Sequence, residues 1–116
     1  MSAARPGVDP FVDDVQAGGG YQYTTDAPLS SRLANARISD ASLAAADWSG
    51  RKVIDVGCGD GTYSVELLER GGAASVHGVD PAEAAVEAAR GRCPDEPRLT
   101  FAVGSAYDLP HADGEF

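Results

Sequence analysis

Val53-Ile54-Asp55-Val56-Gly57-Cys58-Gly59-Asp60-Gly61 is the stretch that decides the reading of this chain. An apolar run carrying one acid passes into three glycines on alternate positions. Val53, Ile54 and Val56 suit a buried strand covered on both faces, and the glycines let the backbone turn sharply with no Cβ between it and a ligand. Thr62 to Arg70 follows with helical spacing and stops at Gly71-Gly72. A strand, a glycine turn and a helix N-terminus in that order make a nucleotide site, with free backbone N–H groups and the positive end of the helix dipole converging on one spot.

Working outward, Ala74 to Asp80 reads as a second short strand ending in an acid. Asp80-Pro81 then reads as the N-cap and first residue of a helix running to about Arg90, with Ala82, Ala85, Val86 and Ala89 as its packing face. Gly91 to Pro97 breaks that helix, and Arg98 to Val103 alternates well enough for a third strand. Before the first strand, Ser30 to about Ala46 has mostly helical spacing, with Ser30 or Ser31 as cap and Ser39-Asp40 as a possible split. The order strand, helix, strand, helix, strand predicts right-handed crossovers and a parallel sheet with its ligand at the carboxyl ends of the strands.

The 116 residues allow one domain of ordinary apolar content, and the net charge of −9 disfavours nucleic acid and anionic membrane surfaces, which require clustered Lys and Arg. No apolar run approaches the ~18 residues of a membrane span. Cys58 and Cys93 form no CxxC pair, and Met1 to Pro10 lacks the pattern of a secretory leader, so a reducing cytoplasm is expected. Residues 1–28 mix prolines, aspartates and Gly18-Gly19-Gly20 and read as an arm, with Tyr21 and Tyr23 able to lay an aromatic face over a ligand. Residues 29–116 form the folded domain.

The chemistry is written at the strand ends. Asp80 lies 23 residues after Gly57, the distance at which an acid closing a second parallel strand meets the ribose of a nucleotide held by the first turn. A dinucleotide fingerprint would need a glycine at Thr62, whereas the third glycine comes one residue early, at Gly61. Asp55 and Asp60 place negative charge where a pyrophosphate would lie. The site therefore favours a ligand with a cationic group.

These features, with Gly104-Ser105-Ala106-Tyr107-Asp108-Leu109-Pro110 after the third strand, resemble the class I S-adenosylmethionine-dependent methyltransferases, and among them the small-molecule branch. The resemblance covers about Trp48 to Phe116. It implies a Rossmann-like α/β fold, of which the chain would carry the first βαβαβ half of a seven-stranded sheet, leaving the edge of the first strand open to self-association. It implies S-adenosyl-L-methionine as cofactor and a small-molecule methyl acceptor. The implied cofactor-binding residues are Asp55 for the ammonium, Gly57, Cys58 and Gly59 along the methionine part, Asp80 and Pro81 at the ribose, and Ser105 and Ala106 at the adenine, with Tyr23 from the arm. Ser105 stands where the family usually has an acid, and His111 where an aromatic is common; His111 is expected to face solvent. No catalytic base is named and no metal is expected. A non-catalytic cofactor-binding module, and more distantly a nicotinamide oxidoreductase, are the competing readings.

Overall fold

The computed structural model describes residues 29–116; the expected arm over residues 1–28, Tyr23 included, lies outside the described residues. A helix α1 (Leu29–Ala45) precedes β1 (Lys52–Val56), α2 (Thr62–Glu69), β2 (Ser75–Asp80), α3 (Glu83–Arg92) and β3 (Leu99–Val103). The strands pair in parallel in the order β1-β2-β3, with Val53 opposite Val76 and Val76 opposite Leu99. Among the described residues β1 pairs on one side only.

Strands laid down in sequence order through right-handed crossovers put both connecting helices on the same face of the sheet. Val53, Val76, Leu99 and Phe101 of that face pack with Leu67 and Leu68 of α2 and Val86 and Ala89 of α3. Ala82, Ala85, Val86 and Ala89 are buried as their spacing predicts, and their small size lets α3 lie close to the strands. The sequence predicts cover on two faces; among the described residues the helices cover one. The alternate residues Ile54, His77 and Thr100 form a row on the opposite face. There the segment after β3 folds back, stacking Phe116 on His77 and setting His111 edge-on to both rings. His111 is thus half-buried, where solvent had been expected, because two aromatic neighbours offer it more contact than water does.

α1 is a single helix, so Ser39-Asp40 does not split it, and Ser30 and Ser31 fall inside its first turn. Leu33 and Ile38 are 58% and 50% exposed. Five residues apart, they point about 140° away from each other on a helix and cannot share one apolar stripe. The contacts run instead through Leu43, which packs on the core, and Asn35, which accepts the Tyr63 hydroxyl at 2.9 Å. Trp48 anchors the link to β1, half-buried against the core with its indole N–H donating to the Ser42 carbonyl at 2.9 Å. Among the described residues no helix is long and apolar enough to cross a membrane.

Candidate functional site

The carboxyl ends of all three strands meet at Asp80. Its backbone carbonyl accepts from Gly104 N–H at 3.0 Å, which ties the end of β3 to the end of β2. One carboxylate oxygen accepts from Gly59 N–H at 3.0 Å, and the other from Ala82 N–H at 2.9 Å. The second bond is an Asx turn: Ala82 keeps an extended backbone, and α3 begins at Glu83, two residues later than Asp80-Pro81 had suggested. Asp80 is 3% exposed, and each oxygen keeps a further lone pair for a ligand.

The glycine turn reverses one expectation. Gly57, Gly59 and Gly61 take left-handed backbones with φ of 76°, 58° and 80°, as their spacing implies. Five of the N–H groups expected to converge on a ligand, those of Gly57, Cys58, Gly59, Gly61 and Thr62, are used within the protein, however. Gly57 and Cys58 both donate to the Val79 carbonyl at 2.7 and 3.1 Å, Gly61 donates to Cys58, and Thr62 donates to the Asp60 carboxylate. With Gly59 bound to Asp80, the turn offers no ring of amides for a pyrophosphate.

Acids surround the turn. Asp55, on β1, accepts the hydroxyl of fully buried Ser64 at 2.6 Å. Burial raises the Asp55 carboxyl above its usual range, the Ser64 bond offsets part of that, and Asp80 adds to it. Asp60 differs from the expected role. It accepts from the Thr62 amide and hydroxyl at the start of α2 and pairs with Arg92 of α3 at 2.7 Å, so its charge already has a partner inside the protein. α3 runs through Gly91 to deliver that arginine, although Gly91 had been read as its end.

Cys58 turns its sulfur inward, so close to Gly78 that a Cβ there would lie 2.8 Å from it. Burial first, then Asp55 and Asp80, push the thiol up to about 12, which makes it a poor nucleophile and leaves only its backbone near the surface of the turn. Ser105 is buried beside β3, its Oγ accepting from Tyr107 N–H at 3.2 Å. Pro81 is half-buried, while Ala106 and Tyr107 are exposed, as are Val56 and Val103 at the ends of β1 and β3. The ends of the sheet therefore present apolar surface beside carboxylates.

Of the expected set, Gly57, Cys58, Gly59, Asp80, Pro81 and Ser105 come together on the ends of β1 to β3, with Asp55 just beneath on β1. Tyr23 lies outside the described residues. Two residues escaped the sequence reading. Ser64 looked like one more helix position, and its only signal was a polar residue on a stripe holding Leu67 and Leu68. Arg92 had no signal beyond being a base in a last helical turn. Among the described residues no group of three or more His, Cys, Asp or Glu could hold a metal ion.

Comparison with known proteins agrees with this architecture. A family described as a methyltransferase domain matches residues 53–116, more than half of the chain. The methyltransferase GfsG of Streptomyces halstedii is 35% identical over 112 residues, covering 91% of this chain and 38% of that protein. An uncharacterized methyltransferase of Synechocystis, sll0829, is 34% identical over 105 residues, 83% of this chain and 46% of its own length. The chain thus spans less than half the length of either. Among solved structures, a Haloferax volcanii methyltransferase chain in complex with the Trm112 activator superposes with a TM-score of 0.59 at 26% identity, covering 93% of this chain and 43% of that one. The matched family, these relatives and the βαβαβ sheet with its glycine turn make this chain a member of the class I S-adenosylmethionine-dependent methyltransferases, carrying part of their domain.

Proposed function

We propose that the chain supplies the S-adenosyl-L-methionine site of an enzyme that methylates a small molecule. The observation that carries this reading is the turn itself, whose Gly57, Cys58, Gly59, Gly61 and Thr62 amides are occupied from within while Asp55 and Asp80 stand close by. Such a site suits a ligand bearing positive charge and disfavours a pyrophosphate. Gly57 supports it, since a Cβ built there meets nothing within 4 Å, so the backbone is open to a ligand lying along it.

When bound, the cofactor supplies a methyl group already activated on a sulfonium. The protein's own work is to hold it. In this reading Asp55 faces the ammonium, and the Gly57 and Gly59 backbones with that of Cys58 form the wall along the methionine part. Asp80 accepts from the ribose hydroxyls with the lone pairs not used by Gly59 and Ala82, beside Pro81. Ser105 and Ala106 flank the adenine, with Val103 and Tyr107 as apolar surface for its ring. Exposed apolar residues at the strand ends shed water when an aromatic base covers them, each fully buried side chain contributing about 1.5–3 kcal/mol.

The acceptor is read as a small molecule because a charge of −9 repels polyanions. The two free cysteines suit a cytoplasmic setting. Isothermal titration with S-adenosylmethionine, its demethylated product and NAD tests the reading: the first two are expected to bind and NAD is not. Binding of NAD alone would overturn it. The second reading is a cofactor-binding module without transfer of its own. Cofactor binding with no methyl transfer to any small acceptor would select that reading.

A further inference from the structure

Arg92 stands at the last position of α3 and reaches across to the turn that opens α2. Its Nε donates to the Asp60 carbonyl at 2.7 Å, and its Nη2 donates to Asp60 Oδ2 at 2.7 Å and to Thr62 Oγ1 at 2.8 Å. The other carboxylate oxygen of Asp60 takes the Thr62 amide and hydroxyl. The Asp60 side chain is 11% exposed and that of Arg92 35%, so the pair is partly withdrawn from water. Binding a carbonyl, a carboxylate and a hydroxyl together needs the planar fork of a guanidinium; an ammonium offers one point charge.

We propose that Arg92 sets the charge of the cofactor site, cancelling Asp60 so that the turn distinguishes a cationic sulfonium from a neutral thioether through Asp55 and Asp80 alone. The inference rests on the S-adenosylmethionine reading given above. Asp60 lies between Gly59 and Gly61, in the turn along which the ligand would run. A full charge at that position acts on a ligand lying along the turn unless a counter-charge accompanies it. Arg92 is that counter-charge. It touches no ligand in this arrangement and is a positioning residue, which also fixes the turn against the N-terminus of α2.

The test compares affinities of the full chain for S-adenosylmethionine and for its demethylated product by calorimetry. A unit charge one turn-width from the sulfur, in a largely aqueous medium, changes the ratio of the two roughly two- to five-fold. Arg92→Gln strips Asp60 of its guanidinium and is expected to raise the ratio in favour of the sulfonium by that factor. Asp60→Asn leaves the guanidinium uncompensated and should lower it. The double variant D60N/R92Q should return to the wild-type ratio, and Arg92→Lys should keep that ratio while weakening both ligands. A purely structural role would change both affinities by one factor, so an unchanged ratio in Arg92→Gln or Asp60→Asn overturns the inference. If Arg92→Gln does not fold, by circular dichroism, Asp60→Asn and the double variant decide. A wild-type chain that binds neither ligand would instead overturn the cofactor reading, and this inference with it.

Discussion

Gly57 and Gly61 stand four residues apart in one turn with nearly the same left-handed backbone, yet a methyl group added to each meets opposite surroundings. At Gly61 it would lie 2.7 Å from Phe101 Cζ and 3.2 Å from Ala89 Cβ, inside the packing of α3 on β3. At Gly57 it would meet nothing within 4 Å. The turn therefore has a closed floor and an open lip. Identical backbone geometry is demanded by the core at one end, and at the other only by the turn and by what approaches from outside. Stability and binding should accordingly separate along five residues of chain.

The hardest test of that separation is Gly61→Ala. A left-handed alanine costs roughly 1–2 kcal/mol, and forcing a methyl into a packed core costs roughly 1–3 more. The sum of roughly 2–5 kcal/mol is a large part of the roughly 5–15 kcal/mol that holds a domain together. Urea denaturation should show a lower midpoint with an unchanged slope, and Phe101→Leu in the same chain should recover part of the loss by making room. A penalty below about 1 kcal/mol would mean that the floor is looser than its contacts indicate.

Asp80 joins floor to lip, and Asp80→Ala is expected to cost as much as Gly61→Ala. It leaves the Gly59 and Ala82 amides without their acceptor, at roughly 1–3 kcal/mol for each buried donor. Cofactor affinity should fall by a further ~1–3 kcal/mol if the carboxylate also holds ribose hydroxyls. Measuring binding well below the melting temperature separates the two. Lost stability with unchanged affinity would leave Asp80 as a knot in the fold and nothing more.

Asp80 also shows how far the sequence could be read. Its place behind a short apolar strand put it at the carboxyl end of β2, and the alternation of strands and helices was equally visible because hydrophobic periodicity is local. What stayed hidden depends on partners distant in the chain. Nothing near Asp60 indicated that Arg92, thirty-two residues on, would neutralise it, and nothing near Gly57 indicated that the Val79 carbonyl would take its amide. The face that carries the helices is hidden for a related reason. Val56 and Ile54 are as apolar as residues packed beneath helices, but composition does not say on which side a helix crosses, whereas the handedness of two successive crossovers does.

Gly57→Ala tests the lip. With strain alone opposing it, the stability penalty should stay near 1–2 kcal/mol. The methyl would nevertheless project where the methionine part of the cofactor is expected, and an affinity loss of about tenfold, or about 1.4 kcal/mol, follows if the ligand lies against that backbone. Wild-type affinity in this variant would move the ligand off the lip and break the comparison between the two glycines.

The finest distinction concerns Asp55, beneath the lip and bonded to Ser64. Its carboxyl is raised in the folded chain, chiefly by burial, so the folded state holds a proton that the unfolded chain has already released above about 3.9. Between that value and the raised one the folded form binds more protons than the unfolded form. Stability from this group therefore falls as pH rises through the window and is constant above it. Asp55→Asn removes the titration, and the difference in urea midpoint between the two chains should shift in favour of the variant as pH rises across the window, then level off. A cation on the lip acts in the opposite direction, because it favours the ionised carboxylate. Affinity of the wild type for S-adenosylmethionine should weaken as pH falls through the same window, while Asp55→Asn binds it less tightly and with a flatter profile. If both chains show the same slope in stability and in binding, Asp55 belongs to the floor, and the charge that draws the ligand must come from Asp80.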